Sequence, residues 1–504
     1  MNLVELAENN YKKFGEYRSL ISEDKEYTNV EMLIYSRKIA NGLKRLGIGP
    51  GNNVVVMLHN CPEVLISYQG ILRTGSIIVP VISMLNEKEL AHILKNSKAV
   101  AIITSRDFMP KVEFVREEIE TLRYVIIVER DHVPGTLNFW DLLNESSDEP
   151  LSITIKDDDL AVIIYTAGTT GTPKGVMLTH QNLYTAAVNG ASARDVKRTD
   201  ITLGVLPLSH SFGITVMNTS FIFGNLFVLI PRFDIDDTFR MIEKHKVTNF
   251  PGVPAMFGFM LSVPPEKRKK YDLSSLKNVT SGSAPLPVET LKAFEREFDC
   301  TITEGYGLTE ASAVVSIGYF DRVIKAGSVG QPIPEIEVRI VDENDKDVPI
   351  CEVGELIVAG PNISPGYYNM PEETAKTLKN GWLYTGDIAR LDEHGYLYIV
   401  ERKKDLIIRG GFNIYPRDIE EVLHRHPAVQ EAAVIGMPDP IMGEEVKAYI
   451  VLSTNKTASE QEITDFCRQH LSKGKCPKFV EFLNSLPKST IGKVLRKELR
   501  KLAS

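Results

Sequence analysis

The first four hundred residues alternate between short apolar runs and longer segments whose apolar residues recur at helical spacing. NVVVML (53–58) is an apolar run, PEVLISYQGILRTG (62–75) has helical spacing with a glycine at its end, and SIIVPVI (76–82) is apolar again. A strand, a helix and a strand in this order predict a βαβ unit with parallel strands and a right-handed crossover. Later apolar runs repeat the pattern, among them AVAIITS, YVIIVE and LAVIIYT. The pattern predicts a large, multi-layer α/β domain built on parallel sheets.

The pattern changes after residue 325. Short strands separated by Gly, Asp and Asn turns continue to residue 400 and predict a small antiparallel layer or barrel. The charged break ERKKD (401–405) then precedes a second alternation of helices and strands. We therefore predict an N-terminal domain at 1–401, a hinge at 402–404 and a small, mobile α+β C-terminal domain at 405–504.

Residues 203–231 contain no Asp, Glu, Lys or Arg, a property that membrane spans share. Pro207, His210 and Gly213 interrupt this segment, and a helix through ITVMNTSFIF followed by a buried strand LFVLIP accounts for it better. The N-terminal MNLVELAENN carries acids and amides where a secretion signal needs an apolar run. The sequence thus favours a soluble protein of the cytoplasm.

Composition narrows the classes of partner. The chain of 504 residues is 43% hydrophobic and 25% charged, which suits a globular protein with large cores. Its formal net charge of -8 gives no reason to expect nucleic acid as a partner. The five cysteines lie far apart and form no CxxC pair, which favours free thiols over a disulfide framework or a zinc site.

One stretch, YTAGTTGTPKGVMLT (165–179), surrounds Lys174 with glycines and threonines. It is not the P-loop G-x-x-x-x-G-K-[ST], because Thr172 and Pro173 separate Gly171 from the lysine and the following VMLT predicts a strand. Backbone N–H groups, hydroxyls and a lysine still suit phosphate binding. Because loops favour the same residues without any ligand, composition leaves a phosphate site and a flexible loop both open.

Further motifs decide between these two interpretations. YTAGTTGTPKG, EGYGLTEAS, YTGD and PKSTIGKVLRKEL occur in the order seen in the adenylate-forming enzymes, and the resemblance covers essentially the whole chain. Within that superfamily the chain most resembles the bacterial medium- and long-chain fatty acyl-CoA ligases, which are similar to the plant coumarate ligases. The resemblance implies that the loop binds the β- and γ-phosphates of ATP through Thr166, Gly168, Thr169, Thr170, Gly171 and Lys174. Ala167 departs from the serine common in the family, so one hydroxyl donor is absent.

The resemblance also implies roles for the motif EGYGLTE. Tyr306 would stack on adenine, with Glu304 and Gly307 beside it in the nucleotide site. Thr309 would bind phosphate through its hydroxyl, and Glu310 would bind Mg²⁺ through a carboxylate oxygen. Without the motif, a tyrosine is more often a core residue and a Thr-Glu pair more often a helix cap.

Two other motifs complete the implied nucleotide site. SGSAPLP (281–287) resembles the segment that lines the adenine pocket, through Ser283, Ala284 and Pro285. In YTGD, Asp387 would accept hydrogen bonds from the ribose hydroxyls, and Arg402 would approach the same ribose. Outside the resemblance, both segments are typical of ordinary turns.

The C-terminal region contributes residues to both half-reactions. Lys493 in STIGKVL would reach the α-phosphate and the acid's carboxylate, although ten basic and two acidic residues between Arg468 and Lys501 also predict a solvated basic face. Lys404 matches the hinge about which the small domain rotates. Gly410 and Gly411 in IIRGGFN would line a tunnel for the pantetheine arm of CoA, and a plain β-turn is the alternative.

The acid itself would lie beside His210 of PLSHSFG, where the family keeps a histidine or an aromatic residue. A hydrogen-bonded core histidine is the alternative. Seven apolar residues are candidates for the acyl pocket: Met217, Phe250, Val253, Met256, Phe257, Ala313 and Val314. No lysine or arginine stands among them, which favours a neutral hydrophobic acid over a dicarboxylate. Gly282 and Gly307 would leave room for a long chain or a ring.

The sequence therefore predicts an ATP-dependent acyl-CoA ligase that forms acyl-CoA, AMP and pyrophosphate from a carboxylic acid, in the first instance a fatty acid, with Mg²⁺, ATP and CoA. An aromatic-acid CoA ligase and an acyl-AMP ligase that loads a carrier protein stay open. Amino-acid activation is disfavoured, because Gly213 follows Phe212 where an aspartate would hold the ammonium group. A non-catalytic nucleotide-binding protein is disfavoured because the motif residues of the implied site are present. A homodimer, and peripheral contact of the basic C-terminal segment with a membrane, also stay open.

Overall fold

The computed structural model describes residues 1–166, 173–472, 474–489 and 492–503. Within these residues the strands form four sheets, with helices between and around them. The first part of the chain forms α1 (Glu5–Phe14), β1 (Arg18–Ser22), β2 (Lys25–Thr28), α2 (Asn29–Arg45), β3 (Asn53–Met57), α3 (Pro62–Arg73), β4 (Ile77–Pro80), α4 (Glu87–Ser97), β5 (Ala101–Thr104), α5 (Met109–Arg116), β6 (Tyr124–Ile127), β7 (Leu137–Asn138), α6 (Phe139–Asn144) and β8 (Leu160–Thr166).

The middle part of the chain forms β9 (Lys174–Thr179), α7 (His180–Ala193), β10 (Ile201–Gly204), α8 (Ser211–Phe223), β11 (Leu226–Leu229), α9 (Ile235–His245), β12 (Asn249–Gly252), α10 (Pro254–Ser262), α11 (Pro265–Arg268), β13 (Asn278–Ser281), α12 (Val288–Phe298), β14 (Thr301–Tyr306), β15 (Ser316–Ile317) and β16 (Gln331–Pro332). It continues with β17 (Glu337–Val341), β18 (Gly354–Ala359), β19 (Gly366–Tyr367), α13 (Pro371–Thr377), β20 (Leu378–Lys379), β21 (Trp382–Leu391) and β22 (Leu397–Arg402). The last part forms β23 (Ile407–Arg409), β24 (Phe412–Ile414), α14 (Pro416–Leu423), β25 (Val429–Asp439), β26 (Gly443–Leu452), α15 (Glu460–His470), β27 (Phe479–Phe482) and α16 (Arg496–Ala503).

Two large sheets with parallel centres form the bulk of the molecule. One has the order β16-β15-β14-β13-β12-β10-β11-β1-β2 and the other β19-β9-β8-β4-β3-β5-β6-β7. The predicted βαβ unit is confirmed, because β3 and β4 pair in parallel with Val55 opposite Val79, and α3 connects them. The two faces of β3 explain the layering: Val54 and Val56 join a core shared with the first sheet, whereas Val55 joins the core under α4 and α5. The predicted multi-layer α/β fold is confirmed.

The segment without charged side chains forms α8 and β11, as predicted. Most of α8 is buried, so its apolar residues belong to the core. Among the helices of the described ranges, none combines the length and the apolar character that a membrane crossing needs.

Beyond residue 332 the chain forms an antiparallel sheet of β17, β18, β20, β21 and β22, the layer that the sequence predicted. In this sheet Asp387 of β21 is the direct partner of Arg402 of β22. The last sheet contains only strands after residue 405 and has its own core around Ile419, Val434 and Ile450. The domain boundaries at 401 and 405 stay a prediction.

Candidate active site

A cavity of about 580 Å³ opens beyond the carboxyl ends of β13 and β14. Ligands of open α/β sheets bind at such strand ends, because the loops that follow neighbouring parallel strands meet there. The cavity brings together predicted site residues that are distant in the sequence: Thr166, Lys174, His210, Ser283, Tyr306, Gly307, Thr309, Glu310, Ala313, Val314, Arg402, Lys404 and Lys493. Several residues of the predicted phosphate loop lie outside the described residues. They are Gly168, Thr169, Thr170 and Gly171, which were predicted to bind phosphate, and Ala167, which lacks the hydroxyl donor common in the family.

A second cavity of about 310 Å³ adjoins the first one and contains the remaining predicted adenine and ribose residues, Ala284, Pro285 and Asp387. The two cavities share Ser283, Tyr306, Gly307, Arg402 and Lys493 in their walls. Tyr306 thus lies in the wall of both cavities. This arrangement fits a nucleotide whose base and phosphates lie in different surroundings.

Asp387 is the best fixed polar group of the site. Its side chain is buried, the Tyr306 hydroxyl donates to Oδ2, and Arg402 Nε lies 2.8 Å from Oδ1. The β21–β22 register sets the arginine opposite the aspartate, so this ion pair follows from the strand pairing. Burial, followed by the nearby Asp387 charge, raises the pKa of Tyr306 well above its ordinary value, which keeps the phenol protonated as a donor.

Glu304 does not line either cavity, in contrast to its place among the predicted nucleotide residues. It is buried, and Oε2 accepts a hydrogen bond of 3.2 Å from the backbone N–H of Leu286. Burial raises the pKa of Glu304 to about 7. This hydrogen bond holds the loop between β13 and α12, which carries Ser283 to Pro285. Glu304 therefore acts on the cavity wall indirectly, through the position of that loop.

The phosphate side of the cavity contains a linked set of polar groups. Lys174 Nζ forms an ion pair with Glu373 and lies 5.4 Å from the centre of the Tyr367 ring. The Tyr367 hydroxyl donates to Glu310 Oε1 at 2.8 Å. The hydrogen bonds from Lys174 and Lys376 lower the pKa of Glu373 to about 2. ATP phosphates would have to compete with Glu373 for Lys174, a contact that the sequence motifs did not indicate.

Glu310 is the candidate ligand for Mg²⁺. Within the part of the chain that the structure describes, no group of three or more His, Cys, Asp and Glu side chains could hold a metal ion. Mg²⁺ commonly binds through one or two carboxylates together with substrate phosphates and water. A single carboxylate in the wall of the large cavity, held at one oxygen by Tyr367, fits that mode of binding.

His210 is held as a neutral imidazole. It is the N-cap of α8, and Nδ1 accepts a 3.2 Å hydrogen bond from the backbone N–H of Phe212. Nε2 therefore carries the proton, as a donor that faces the cavity. Burial and, to a lesser degree, the positive charge of Lys493 lower the pKa of His210 to about 4. A neutral donor here suits orientation of a carboxylate, and not proton abstraction from it.

Lys493 stands on a turn that touches the large domain. Gly492 has φ +73°, and a Cβ built on it would lie 3.2 Å from Ala255 Cβ and 3.6 Å from a methyl group of Val253. Lys493 is exposed to solvent, yet desolvation by the protein around the ammonium group lowers its pKa to about 8. The charges of Arg402 and Lys404 act in the same direction, and Asp387 opposes them.

This pKa gives a pH prediction for the adenylating half-reaction. The pKa of Lys493 lies below its ordinary value of 10.5, so the charged form is present below about pH 8 and is lost as the pH rises further. We expect kcat/KM for ATP, followed as acid-dependent pyrophosphate release, to fall above pH 8 by about tenfold per pH unit, because kcat/KM reports groups of the free enzyme. Lys493→Arg should remove the decline, since the guanidinium stays charged. A wild-type profile that is flat to pH 10 would contradict this assignment.

The structure separates the seven acyl-pocket candidates. Ala313 and Val314 line the large cavity. Phe250 borders a small cavity of about 20 Å³ next to it. Of the others, Met217, Val253, Met256 and Phe257 line none of these cavities and belong to the hydrophobic core, where Phe257 packs edge-to-face on Phe250 and Phe294. Gly307 lines the cavity, but a Cβ there would lie 2.0 Å from the Ala313 carbonyl, so close backbone packing also requires this glycine.

The wall beside Ala313 and Val314 contains residues that sequence reasoning missed: Gly190, Arg194, Thr215, Val216, Thr280 and Ile317. No basic residue stands among the seven candidates, but Arg194 is part of the same cavity wall. The sequence around it, SARDVKRTD, has the mixed charge of an exposed loop and gave no signal of a cavity. The argument against a dicarboxylic acid therefore has no structural basis.

Gly410 and Gly411 form the turn of the β23–β24 hairpin, where Arg409 pairs with Phe412. Their φ angles are +58° and +82°, the left-handed values that a two-residue hairpin turn of this kind requires at both positions. The β-turn is thus present, and it lies outside both cavities of the described residues. The tunnel for CoA stays a prediction that needs a second arrangement of the C-terminal region.

The fold and the paired cavities define a class, the adenylate-forming enzymes. The family model described as AMP-binding enzyme matches residues 7–368, and the model of its C-terminal domain matches residues 418–493. The chain belongs to the AMP-binding enzyme family.

Known relatives agree with this membership. The long-chain-fatty-acid–CoA ligase of Bacillus subtilis (strain 168) is 39% identical over 516 residues, which cover 97% of this chain and 92% of the relative. The 4-coumarate–CoA ligase 1 of Solanum tuberosum is 36% identical over 508 residues, with coverage of 97% and 92%. The crystal structure of the anthranilate CoA ligase AuaEII in complex with anthranoyl-AMP has a TM-score of 0.95 at 28% identity and covers 100% of this chain and 97% of that chain. The predicted resemblance is confirmed, and acyl-CoA ligase activity is supported. Ligases of fatty acids and of aromatic acids both stand among these relatives.

Proposed function

We propose that the protein is an ATP-dependent acyl-CoA ligase that activates a fatty acid. The acid attacks the α-phosphorus of ATP, pyrophosphate leaves, and the thiol of CoA then displaces AMP from the acyl-adenylate. The observation that carries the proposal is the convergence of Lys174, His210, Thr309, Glu310 and Lys493 on one cavity. These residues come from four separate motifs.

The site's charges fit the first step. A carboxylate and a triphosphate repel each other, so the reaction needs cations and donors around both reactants. Lys493, Arg402 and Lys404 supply positive charge, and the neutral His210 would orient the acid through Nε2–H without repelling Lys493. Asp387 would accept hydrogen bonds from the ribose and thereby hold the nucleotide in line for the attack.

Mg²⁺, when bound with ATP at Glu310, would neutralise phosphate charge as pyrophosphate leaves. We expect acid-dependent AMP formation to disappear in excess chelator. Glu310→Gln should raise the Mg²⁺ concentration for the half-maximal rate by on the order of tenfold, because it removes a charged oxygen ligand. Glu372→Gln is the matched control, because Glu372 is an exposed residue of α13. Full activity in chelator would disprove the role of Glu310.

The second step needs a different arrangement of the C-terminal region. Lys404 lies between β22 of the antiparallel sheet and β23 of the last sheet, where a change of backbone angles would reorient everything after it. We propose that rotation there withdraws Lys493 and brings the Gly410–Gly411 turn to the acyl-adenylate. CoA would then reach the acyl group along that turn.

The fatty-acid substrate rests on the Bacillus relative and on the apolar wall of Val216, Ala313 and Val314. An aromatic acid is the second candidate, favoured by the coumarate and anthranilate ligases. The deciding experiment is AMP release from ATP and Mg²⁺ with acetate, octanoate, palmitate, benzoate or coumarate, each with and without CoA. AMP that depends on a fatty acid and rises strongly with CoA would support the proposal, whereas a preference for benzoate or coumarate would favour the aromatic alternative. Acid-dependent AMP that ignores CoA would indicate transfer to a carrier protein, and no AMP with any acid would overturn the proposal.

A further inference from the structure

Arg194 occupies an unusual place for an arginine, in the wall of the large cavity beside the apolar Val216, Ala313 and Val314. It directly follows α7, and its Nε donates a 3.0 Å hydrogen bond to the carbonyl of Gly190 in the last turn of that helix. Arg194, Val216 and Thr280 also border the small cavity of about 20 Å³. The arginine therefore stands in the wall that the two cavities share.

The guanidinium lacks a counter-ion within the described part of the chain. No carboxylate there lies within ion-pair distance, and Nη1 and Nη2 make no hydrogen bond to a described residue. Asp200 is the acidic residue whose charge acts on it, but the Asp200 carboxylate accepts a 2.8 Å hydrogen bond from the backbone N–H of Lys197. Burial lowers the pKa of Arg194 to about 10, so the group still carries its charge at neutral pH.

The wall of the small cavity is part polar and part apolar. Its polar part includes Thr202, Thr219, Ser220, Asn249, Asn278 and Thr280. Ser220 Oγ and Asn249 Oδ1 are buried and have no hydrogen-bond partner among the described residues. A purely apolar chain that ended here would leave these groups and the guanidinium without partners, which is unfavourable for binding.

We propose that the acid activated by this protein carries a second carboxylate at its far end, which Arg194 binds. The inference rests on the proposed ligase function and narrows its substrate class to fatty acids with a terminal carboxylate. The wall of the large cavity contains the three kinds of group that such an acid needs: the imidazole of His210, apolar side chains such as Val314, and the guanidinium of Arg194. Arg194 is bonded to the carbonyl of Gly190, and a Cβ built on Gly190 would lie 3.6 Å from Val314. The pairing would offset the desolvation of a charge that has no other counter-ion.

Capping of α7 is the alternative role of Arg194, because basic side chains commonly bond the last carbonyls of a helix. The cap uses Nε alone, and it leaves Nη1 and Nη2 of Arg194 without a hydrogen-bond partner among the described residues. The two roles differ in their consequences. A cap affects the stability of the fold and thus all acids equally, whereas a substrate contact discriminates between acids of the same length.

The test compares matched acids with the unaltered protein: octanoate, 8-hydroxyoctanoate and octanedioate, and the corresponding decanoate series, measured as acid-dependent AMP release. We expect kcat/KM for the diacids to exceed that for the monoacids by on the order of tenfold or more, as expected for a charge-assisted hydrogen bond. A preference for the monoacids would overturn the inference and leave the ligase proposal intact. A preference for the hydroxy acids would overturn the assignment of an anionic group. No AMP with any acid would overturn the ligase proposal and this inference with it.

Arg194→Met supplies the second arm. We expect kcat/KM for octanedioate to fall by on the order of 100-fold and that for octanoate to rise, so the preference inverts. The control is Arg198→Met, which makes the same substitution in the same loop. Arg198 is exposed and stacks on Phe14 and Tyr17. An equal fall for both acids in Arg194→Met would assign Arg194 to the helix cap and overturn the inference. If Arg194→Met fails to fold, the comparison of acids with the unaltered protein decides.

Discussion

Lys493→Ala is expected to slow acid-dependent pyrophosphate release by on the order of 10² to 10³-fold, while transfer of the acyl group from preformed acyl-AMP to CoA stays close to the wild-type rate. The lysine lies in both nucleotide-site cavities, near Arg402 and Asp387 and within electrostatic reach of His210. Its charge would compensate the negative charge that accumulates between carboxylate and α-phosphate. Once the adenylate has formed, that charge has left with pyrophosphate, and the lysine is no longer needed.

The two half-reactions must be measured separately. Pyrophosphate release reports the first, and thioester formation from synthetic acyl-AMP and CoA reports the second. Lys497→Ala is the matched control, because Lys497 is an exposed lysine of the same basic segment and lines neither cavity of the described residues. Equal loss of both half-reactions in Lys493→Ala would contradict a role confined to adenylation and would indicate a general structural defect.

The convergence of the predicted site residues on the two cavities was largely predictable, because these residues belong to long motifs. Tyr306, Asp387 and Arg402 come from separate segments, yet the structure joins them through one ion pair and one hydrogen bond. Few residue types can make these contacts, so the segments that carry the three residues are recognisable in the sequence. Glu304 shows the limit of inference from motifs. It belongs to a motif, but it holds a neighbouring loop by a hydrogen bond and lines neither cavity.

The acyl pocket was poorly predictable for a physical reason. An apolar side chain on a helix or a strand serves a core and a ligand cavity equally well, so sequence alone does not tell which it faces. Met217 and its neighbour Val216 illustrate the difference: both are buried in the same core, but only Val216 also lines the cavity. Arg194 was missed for the opposite reason, because a charged residue in a polar loop is normally exposed.

Glu373 and Tyr367 were missed because their contacts are distant in sequence from the residues they hold. Lys174 and Glu373 are brought together only when β19 pairs with β9, which places α13 beside Lys174. No local pattern contains that information. The contact depends on the order of the strands in the sheet. The same sequence pattern is compatible with several strand orders, and most of them would not bring these two residues together.

Gly411→Leu is expected to leave acid-dependent pyrophosphate release within a factor of about three and to lower thioester formation by on the order of 100-fold or more. In the present arrangement Gly411 is exposed, and a Cβ built on it meets no atom within 4 Å. The leucine therefore does not disturb the site in which adenylation takes place. If rotation at Lys404 brings this turn against the acyl-adenylate, the same side chain would fill the path of the pantetheine arm.

Backbone strain is the competing explanation, because φ at Gly411 is +82° and a residue with a Cβ in this region loses about 1–2 kcal/mol. Gly381 supplies the matched control: it also has φ +82°, is exposed and has no atom within 4 Å of a Cβ, but it lies in the turn between β20 and β21. Gly381→Leu should therefore introduce the same backbone strain, but its side chain would not lie in the predicted CoA tunnel. If both variants lose thioester formation equally, strain accounts for the loss; if Gly411→Leu forms thioester normally, the turn does not line the path of CoA. Loss in Gly411→Leu alone would show that the C-terminal region acts in two arrangements, one for each half-reaction.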